Sequence, residues 1–129
     1  MNLLLDTHLL IWTAEASDRL PREAAKLILD EDNRLHFSAA SIWEIAIKGA
    51  LRRPDFATNA AVLRRGLIDN DYIELPVTGL HAAAVASLPA LHKDPFDRLL
   101  VAQAVAEGFL LLTADPELAP YGGAIRLIR

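Results

Sequence analysis

Two stretches of the chain are apolar without interruption, and each runs into an acid. Leu3-Leu4-Leu5 is followed by Asp6, and Phe109-Leu110-Leu111-Leu112-Thr113 is followed, one residue later, by Asp115. A strand with one wet face alternates apolar and polar residues. Runs like these suit strands buried on both faces, as in a parallel sheet covered by helices. In open α/β sheets, ligands bind beyond the carboxyl ends of the strands, where neighbouring crossovers diverge. The sequence therefore predicts a sheet with these two strands at its centre and with Asp6 and Asp115 brought to one rim.

The rest of the chain supplies the layers. Further strands are expected at residues 34–37, 72–75 and 124–128, set off by the Asp32-Asn33 turn, by Pro76 and by Tyr121-Gly122-Gly123. Helical stretches fall between them, at 9–12, 22–30, 39–50 behind a Ser38 N-cap, 58–68 and 80–88. A last one starts at Asp94-Pro95 and stops at Gly108. Strands alternating with helices imply right-handed crossovers and a mainly parallel, three-layer α/β fold. The 129 residues, 53% hydrophobic, suffice for one domain with its own core, residues 1–129.

Composition excludes several classes. There are no cysteines, so disulfides and thiolate zinc sites are ruled out, and the four histidines show no zinc-ligand spacing. No apolar run approaches the ~18 residues of a membrane span, and no basic segment precedes Leu3–Leu5 as a signal peptide requires, so a cytoplasmic protein is expected. The net charge of −4 argues against broad attraction to nucleic acid but leaves local patches open. Trp12 and Trp43 are expected in the core rather than as stacking platforms. No Gly-rich phosphate loop or nucleophile elbow is present.

The chemistry-bearing residues are acids. Asp97 stands at the third position of the helix opened by Asp94-Pro95, facing the rim where Asp6 and Asp115 are expected. Glu44 is the lone acid on a nearly all-apolar helix, in a stripe of Ser41, Glu44, Lys48 and Arg52 spaced by three, four and four. Each has a bland explanation: Asp6, Asp94 and Asp115 as helix caps, Asp97 as a helix-dipole partner, Glu44-Lys48 as a solvated ion pair. Taken together, clustered carboxylates repel one another and stay ionised only around a positive charge. A hard divalent cation fits such oxygen donors. It would activate water against a phosphodiester. Lys48 and Arg52 would then offer a track for a phosphate backbone beside it.

The motifs Leu5-Asp6-Thr7-His8, Ser41-Ile42-Trp43-Glu44-Ile45, His92-Lys93-Asp94-Pro95-Phe96-Asp97-Arg98-Leu99-Leu100 and Leu112-Thr113-Ala114-Asp115 occur in this order and resemble those of PIN domains, most closely the VapC-type toxins of bacterial and archaeal toxin–antitoxin pairs. The resemblance covers nearly the whole chain, and the His-x-Asp-Pro-Phe-Asp-Arg stretch is its most specific part. It implies a three-layer α/β/α fold with a five-stranded parallel sheet, and a ribonuclease dependent on Mg2+ or Mn2+. It places Asp6, Glu44 and Asp97 on the family's three metal-site acids and Asp115 on a less uniform fourth, with Asp94 as a further candidate ligand. It also implies a homodimer and a small cognate antitoxin. Two alternatives stay open: a DNA nuclease or phosphatase using the same acids, and a degenerate PIN domain serving as a binding module for RNA or protein.

Overall fold

A strand of three leucines, each wholly buried, runs through the middle of the molecule. The computed structural model describes residues 1–129. This strand, β1 (Asn2–Leu5), lies at the centre of a five-stranded, all-parallel sheet with β2 (Arg34–Ser38), β3 (Ile73–Leu75), β4 (Leu110–Thr113) and β5 (Ile125–Leu127), in the order β3-β2-β1-β4-β5. The two apolar runs are therefore neighbours: Leu5 pairs with Leu112, and the Asp6 N–H donates to the Leu112 carbonyl at 3.0 Å. The chain passes from β1 to β2 on one side and returns to β4 on the other, so the switch point falls between β1 and β4 as the pattern predicts.

Side-chain alternation along β1 builds two cores. Leu3 and Leu5 face α1 (Thr7–Ala14), α2 (Arg22–Leu29), α3 (Ala39–Ala50) and α4 (Ala60–Asp69), meeting Leu9, Leu10, Ala24, Ile45, Leu63 and Leu67. Leu4 faces the other way, toward Leu100, Val101 and Ala104 of α6 (Pro95–Glu107). The short α5 (Gly79–Ala84) packs on α6. Burying one such leucine fully stabilises by roughly 2 kcal/mol, so the apolar run fixes the helix layers on both faces.

Helix starts follow local chemistry. Ser38 accepts from the Ala40 N–H at 3.0 Å, Asn59 from Val62 at 3.0 Å, and Asp94 from Phe96 and Asp97 at 2.8 and 3.1 Å. Gly108 ends α6 with φ +70°, a left-handed conformation that glycine adopts without strain.

Some expectations need correction. The Asn59 cap moves the start of α4 from 58 to 60. The stretch expected as one helix over 80–88 is α only to Ala84 and 3-10 over Val85–Ser87. There the Arg98 guanidinium takes the Val85 and Pro89 carbonyls at 3.1 and 2.9 Å, drawing the chain away from a helical path. α3 stops at Ala50 and Arg52 has φ +57°, so the polar stripe ends at Lys48. Trp12 packs partly buried against the core. Trp43, expected inside, is 60% exposed and meets Phe96 edge-on at 5.2 Å.

Candidate functional site

Asp6 sits one residue beyond β1, where the extended backbone turns into α1. It is 6% exposed. One carboxylate oxygen caps α1 by accepting from the Leu9 N–H at 2.9 Å; the other accepts from the Thr113 hydroxyl at 2.5 Å, which ties the ends of β1 and β4 together. The cap explanation and the rim position thus hold at once. Burial pushes the Asp6 carboxyl above its ordinary range and nearby Glu44 adds to the push, against the Thr113 and Leu9 hydrogen bonds and His8.

Glu44 comes to the same place from α3. That helix is apolar nearly all round, yet the face it buries carries Ala40, Ser41, Glu44 and Ile45. Glu44 Oε1 lies 2.6 Å from the Thr7 hydroxyl, and that hydroxyl lies 2.9 Å from Ser41 Oγ. A hydroxyl has one proton and a carboxylate only accepts, so Thr7 donates to Glu44 and receives from Ser41. Glu44 Oε2 receives the Lys48 ammonium at 2.5 Å. The Glu44-Lys48 pair is therefore formed, but inside the cleft: the Lys48 side chain is 16% exposed.

Asp97 enters from α6. Asp94 caps that helix, Pro95 occupies its first position, and Asp97 follows at the third. Its carboxyl is raised to about 6, chiefly by burial, then by the adjacent Asp94 charge, with Glu44 and Asp6 adding; the His92 hydrogen bond opposes the shift. Asp94, Glu44 and Asp6 thus all act on Asp97, and Glu44 acts on Asp6, so the four carboxylates lie near one another. Lys48 Nζ is also 3.7 Å from Asp94, and no other lysine or arginine pairs with any of the four.

Asp115 stands beside this group rather than within it. Its N–H donates to the Thr113 hydroxyl oxygen at 3.0 Å, so Thr113 links it to Asp6, and Asp6 and Asp115 line one hollow with His8, Arg19 and Asp55. Its carboxylate faces His92 and Glu117, and the ligand atoms of these three residues all lie within 4.8 Å of one another. Arg52 lies exposed beyond α3. His92, set aside in the sequence, bridges the groups: Nε2 is 2.9 Å from Asp97 and Nδ1 3.3 Å from Glu117. The signal for it was its place two residues before the Asp94-Pro95 turn, not ligand spacing.

This group lies at the switch point of a parallel sheet, where α/β folds bind ligands. Four carboxylates, carried by the end of β1, by α3 and by the start of α6, lie near one another with Lys48 between Glu44 and Asp94, and two of them are pushed upward, first by burial and then by mutual repulsion. Such a donor set, all oxygen and short of positive charge, fits a hard divalent cation.

Comparison with known proteins agrees with this fold. Residues 3–123 match the sequence model of the PIN domain. The chain is 29% identical over 116 residues to Ribonuclease VapC22 of Mycobacterium tuberculosis, spanning 90% of this chain and 88% of that protein. Among solved structures, VapBC2 from Rickettsia felis, bound to a DNA fragment from their promoter, superposes with a TM-score of 0.69 at 16% identity, covering 98% of this chain and 97% of the other. VapBC-5 of the VapBC family of toxin-antitoxin systems, from Mycobacterium tuberculosis, gives 0.64 at 20% identity, covering 99% and 98%. At such identities the structural likeness is one of fold.

Proposed function

The chain belongs to the PIN domain family, and from that membership we propose that it is a metal-dependent endoribonuclease, the toxin of a toxin–antitoxin pair. The observation that carries the reading is the set of carboxylates Asp6, Glu44, Asp94 and Asp97 gathered beyond the ends of β1 and β4, with Thr113 holding Asp6 and Lys48 bridging Glu44 and Asp94. The similarity to Ribonuclease VapC22 supports RNA as the substrate class, and the likeness to VapBC toxin-antitoxin assemblies supports a protein antitoxin as partner. A cytoplasmic homodimer built from one PIN domain per chain, residues 1–129, completes the proposal; no helix is long and apolar enough to cross a membrane.

Asp6, Glu44 and Asp97 would hold Mg2+ or Mn2+, with Asp115 at the edge and Asp94 as a further oxygen donor. Bound there, the ion supplies an activated water and charge stabilisation at the scissile phosphate. The chain's own part is positioning. Thr113 and the Leu9 N–H fix both oxygens of Asp6. Thr7 and Lys48 fix Glu44, and His92 orients Asp97. Of the two residues expected on an RNA track, Arg52 lies exposed beyond α3 and offers charge for the RNA backbone, whereas Lys48 is engaged by Glu44 and Asp94.

The test is RNA cleavage by purified protein with Mg2+ or Mn2+ against EDTA, for wild type and Asp6→Asn. Cleavage that needs metal and is lost in the folded variant is expected. Wild-type activity in Asp6→Asn places the chemistry elsewhere. Turnover of DNA instead of RNA indicates a DNA nuclease, and no turnover with any metal indicates a binding module.

A further inference from the structure

The acidic group already holds a cation of its own chain. Lys48 lies one turn beyond Glu44 on α3, and its ammonium touches Glu44 Oε2 at 2.5 Å with Asp94 Oδ2 at 3.7 Å. Two aromatic faces close around it: the Phe56 ring centroid at 4.7 Å and the Phe96 centroid at 5.5 Å. Phe56, 1% exposed, belongs to the 3-10 turn Pro54–Phe56 that folds back on α3. That return is close: a side chain at Gly49 would meet the Phe56 carbonyl oxygen at 3.1 Å. The ammonium is therefore held by two carboxylates and two ring faces, each of which favours positive charge. This is a built position for one cation, and a surface lysine reaching toward solvent has none of it.

We propose that Lys48 is a positioning residue that stands in for a divalent cation at Glu44 and Asp94, stabilising the metal-free protein and lowering the affinity of the site for metal. The inference rests on the metal-site reading above. Two opposite effects decide its sign. Lys48 orients Glu44, which helps a metal. It also places a unit of positive charge beside any ion that Glu44 would hold, which opposes one. The Thr7 hydrogen bond to Glu44 at 2.6 Å, itself backed by Ser41, does not involve Lys48. Orientation survives the loss of Lys48, whereas the repulsion does not, so the charge effect dominates. Because coupling between two cations is reciprocal, metal binding must weaken the hold of Glu44 and Asp94 on Lys48 by the same factor.

The experiment compares wild type, Lys48→Met and Lys48→Arg. Mg2+ and Mn2+ affinities are measured by calorimetry, and melting temperature is read in EDTA and at saturating metal. Lys48→Met is expected to bind metal about tenfold more tightly, the scale of removing one like charge from a partly buried site. It is expected to melt several degrees lower in EDTA, with that deficit shrinking at saturating metal. Lys48→Arg, which keeps the charge, stays near wild type. Lys48→Gln, which retains a donor toward Glu44 without charge, is read in the same way should the methionine variant fail to fold in EDTA. An equal loss of melting temperature with and without metal, at unchanged affinity, overturns the proposal and leaves Lys48 a packing residue. Weaker metal binding by Lys48→Met overturns it by showing that orientation wins. Wild type that binds neither ion removes the metal-site reading itself, and this inference with it; in the two preceding outcomes wild type binds metal and that reading stands.

Discussion

The chain uses one opening twice, with different results. Asp94-Pro95 and Asp115-Pro116 both place an extended aspartate before a proline, and in both the carboxylate accepts from the backbone just beyond. After the first, 13 residues of α6 follow, with Leu100, Val101 and Ala104 driven into the core under the sheet. After the second comes a six-residue 3-10 stretch, Pro116–Tyr121, that buries only Leu118 and meets Pro120, which has no N–H to give. Each opening carries a second acid. The acid of the first, Asp97, has a side chain 21% exposed; that of the second, Glu117, has one 71% exposed. A cap signal sets where a turn begins. How deeply the next residues are buried decides where the acid points. His92 touches both acids, at 2.9 Å and 3.3 Å, so they form a matched pair for experiment.

The largest expected contrast is in catalysis. Asp97→Asn should slow single-turnover RNA cleavage roughly a thousandfold, about 4 kcal/mol of barrier. That exceeds the 10- to 100-fold that losing an outer hydrogen-bond partner of a metal ligand typically costs. Glu117→Gln should stay within about threefold of wild type, since a solvated surface carboxylate contributes little. Comparable losses in the two variants would break the distinction and move the working site toward the His92, Asp115 and Glu117 group.

The next contrast is in stability against pH, without metal. Asp97 is raised from its usual 3.8 to about 6, so the folded state holds its proton more tightly than the unfolded chain does. A carboxyl raised on folding adds stability below its ordinary value, and that increment is lost as pH climbs through about 6. Between pH 4 and pH 7 the loss should reach roughly 2–3 kcal/mol, since a tenfold change in proton affinity is worth about 1.4 kcal/mol. Denaturant unfolding in EDTA measures it. Asp97→Asn should flatten this segment of the profile and Glu117→Gln should leave it intact. A wild-type profile that rises from pH 4 to pH 7 in EDTA would contradict the burial and repulsion assigned to Asp97.

Much of this was legible in the chain, for reasons that differ by residue. The pairing of β1 with β4 followed from two runs with no polar alternation, a pattern with few other solutions. Asp94, Pro95 and Gly108 marked the ends of α6 because capping is local. The face buried by α3 was not legible. Periodicity assumes that polar residues face water, and here Ser41 and Glu44 face inward because the site lies inside, which turns Trp43 out. His92 escaped because its contact depends on the turn at Pro95 rather than on spacing from another ligand. The cage around Lys48 depends on Phe56 arriving from a turn beyond the helix, where sequence spacing carries no information.

The smallest expected effect concerns the caps themselves. Asp94 satisfies two N–H groups of a long, buried helix; Asp115 satisfies the single N–H of Glu117 in a short, wetter turn. Replacing a helix-capping aspartate with alanine typically costs about 1 kcal/mol. Asp94→Ala should show that, and Asp115→Ala only a few tenths, because water can take over an exposed donor. The Asp94 cost should also depend on pH. Asp94 is the charge that pushes Asp97 upward most, so its removal relieves repulsion wherever Asp97 is ionised. In EDTA the deficit of Asp94→Ala should be near its full value at about pH 5, where Asp97 is mostly protonated, and smaller at about pH 8. Lys48, which loses its more distant partner at 3.7 Å, works against that relief but keeps Glu44 at 2.5 Å. Equal costs for the two alanine variants would mean that the buried helix draws no more from its cap than the short turn does. A deficit that grows toward pH 8 would mean that Asp94 serves Lys48 more than it burdens Asp97.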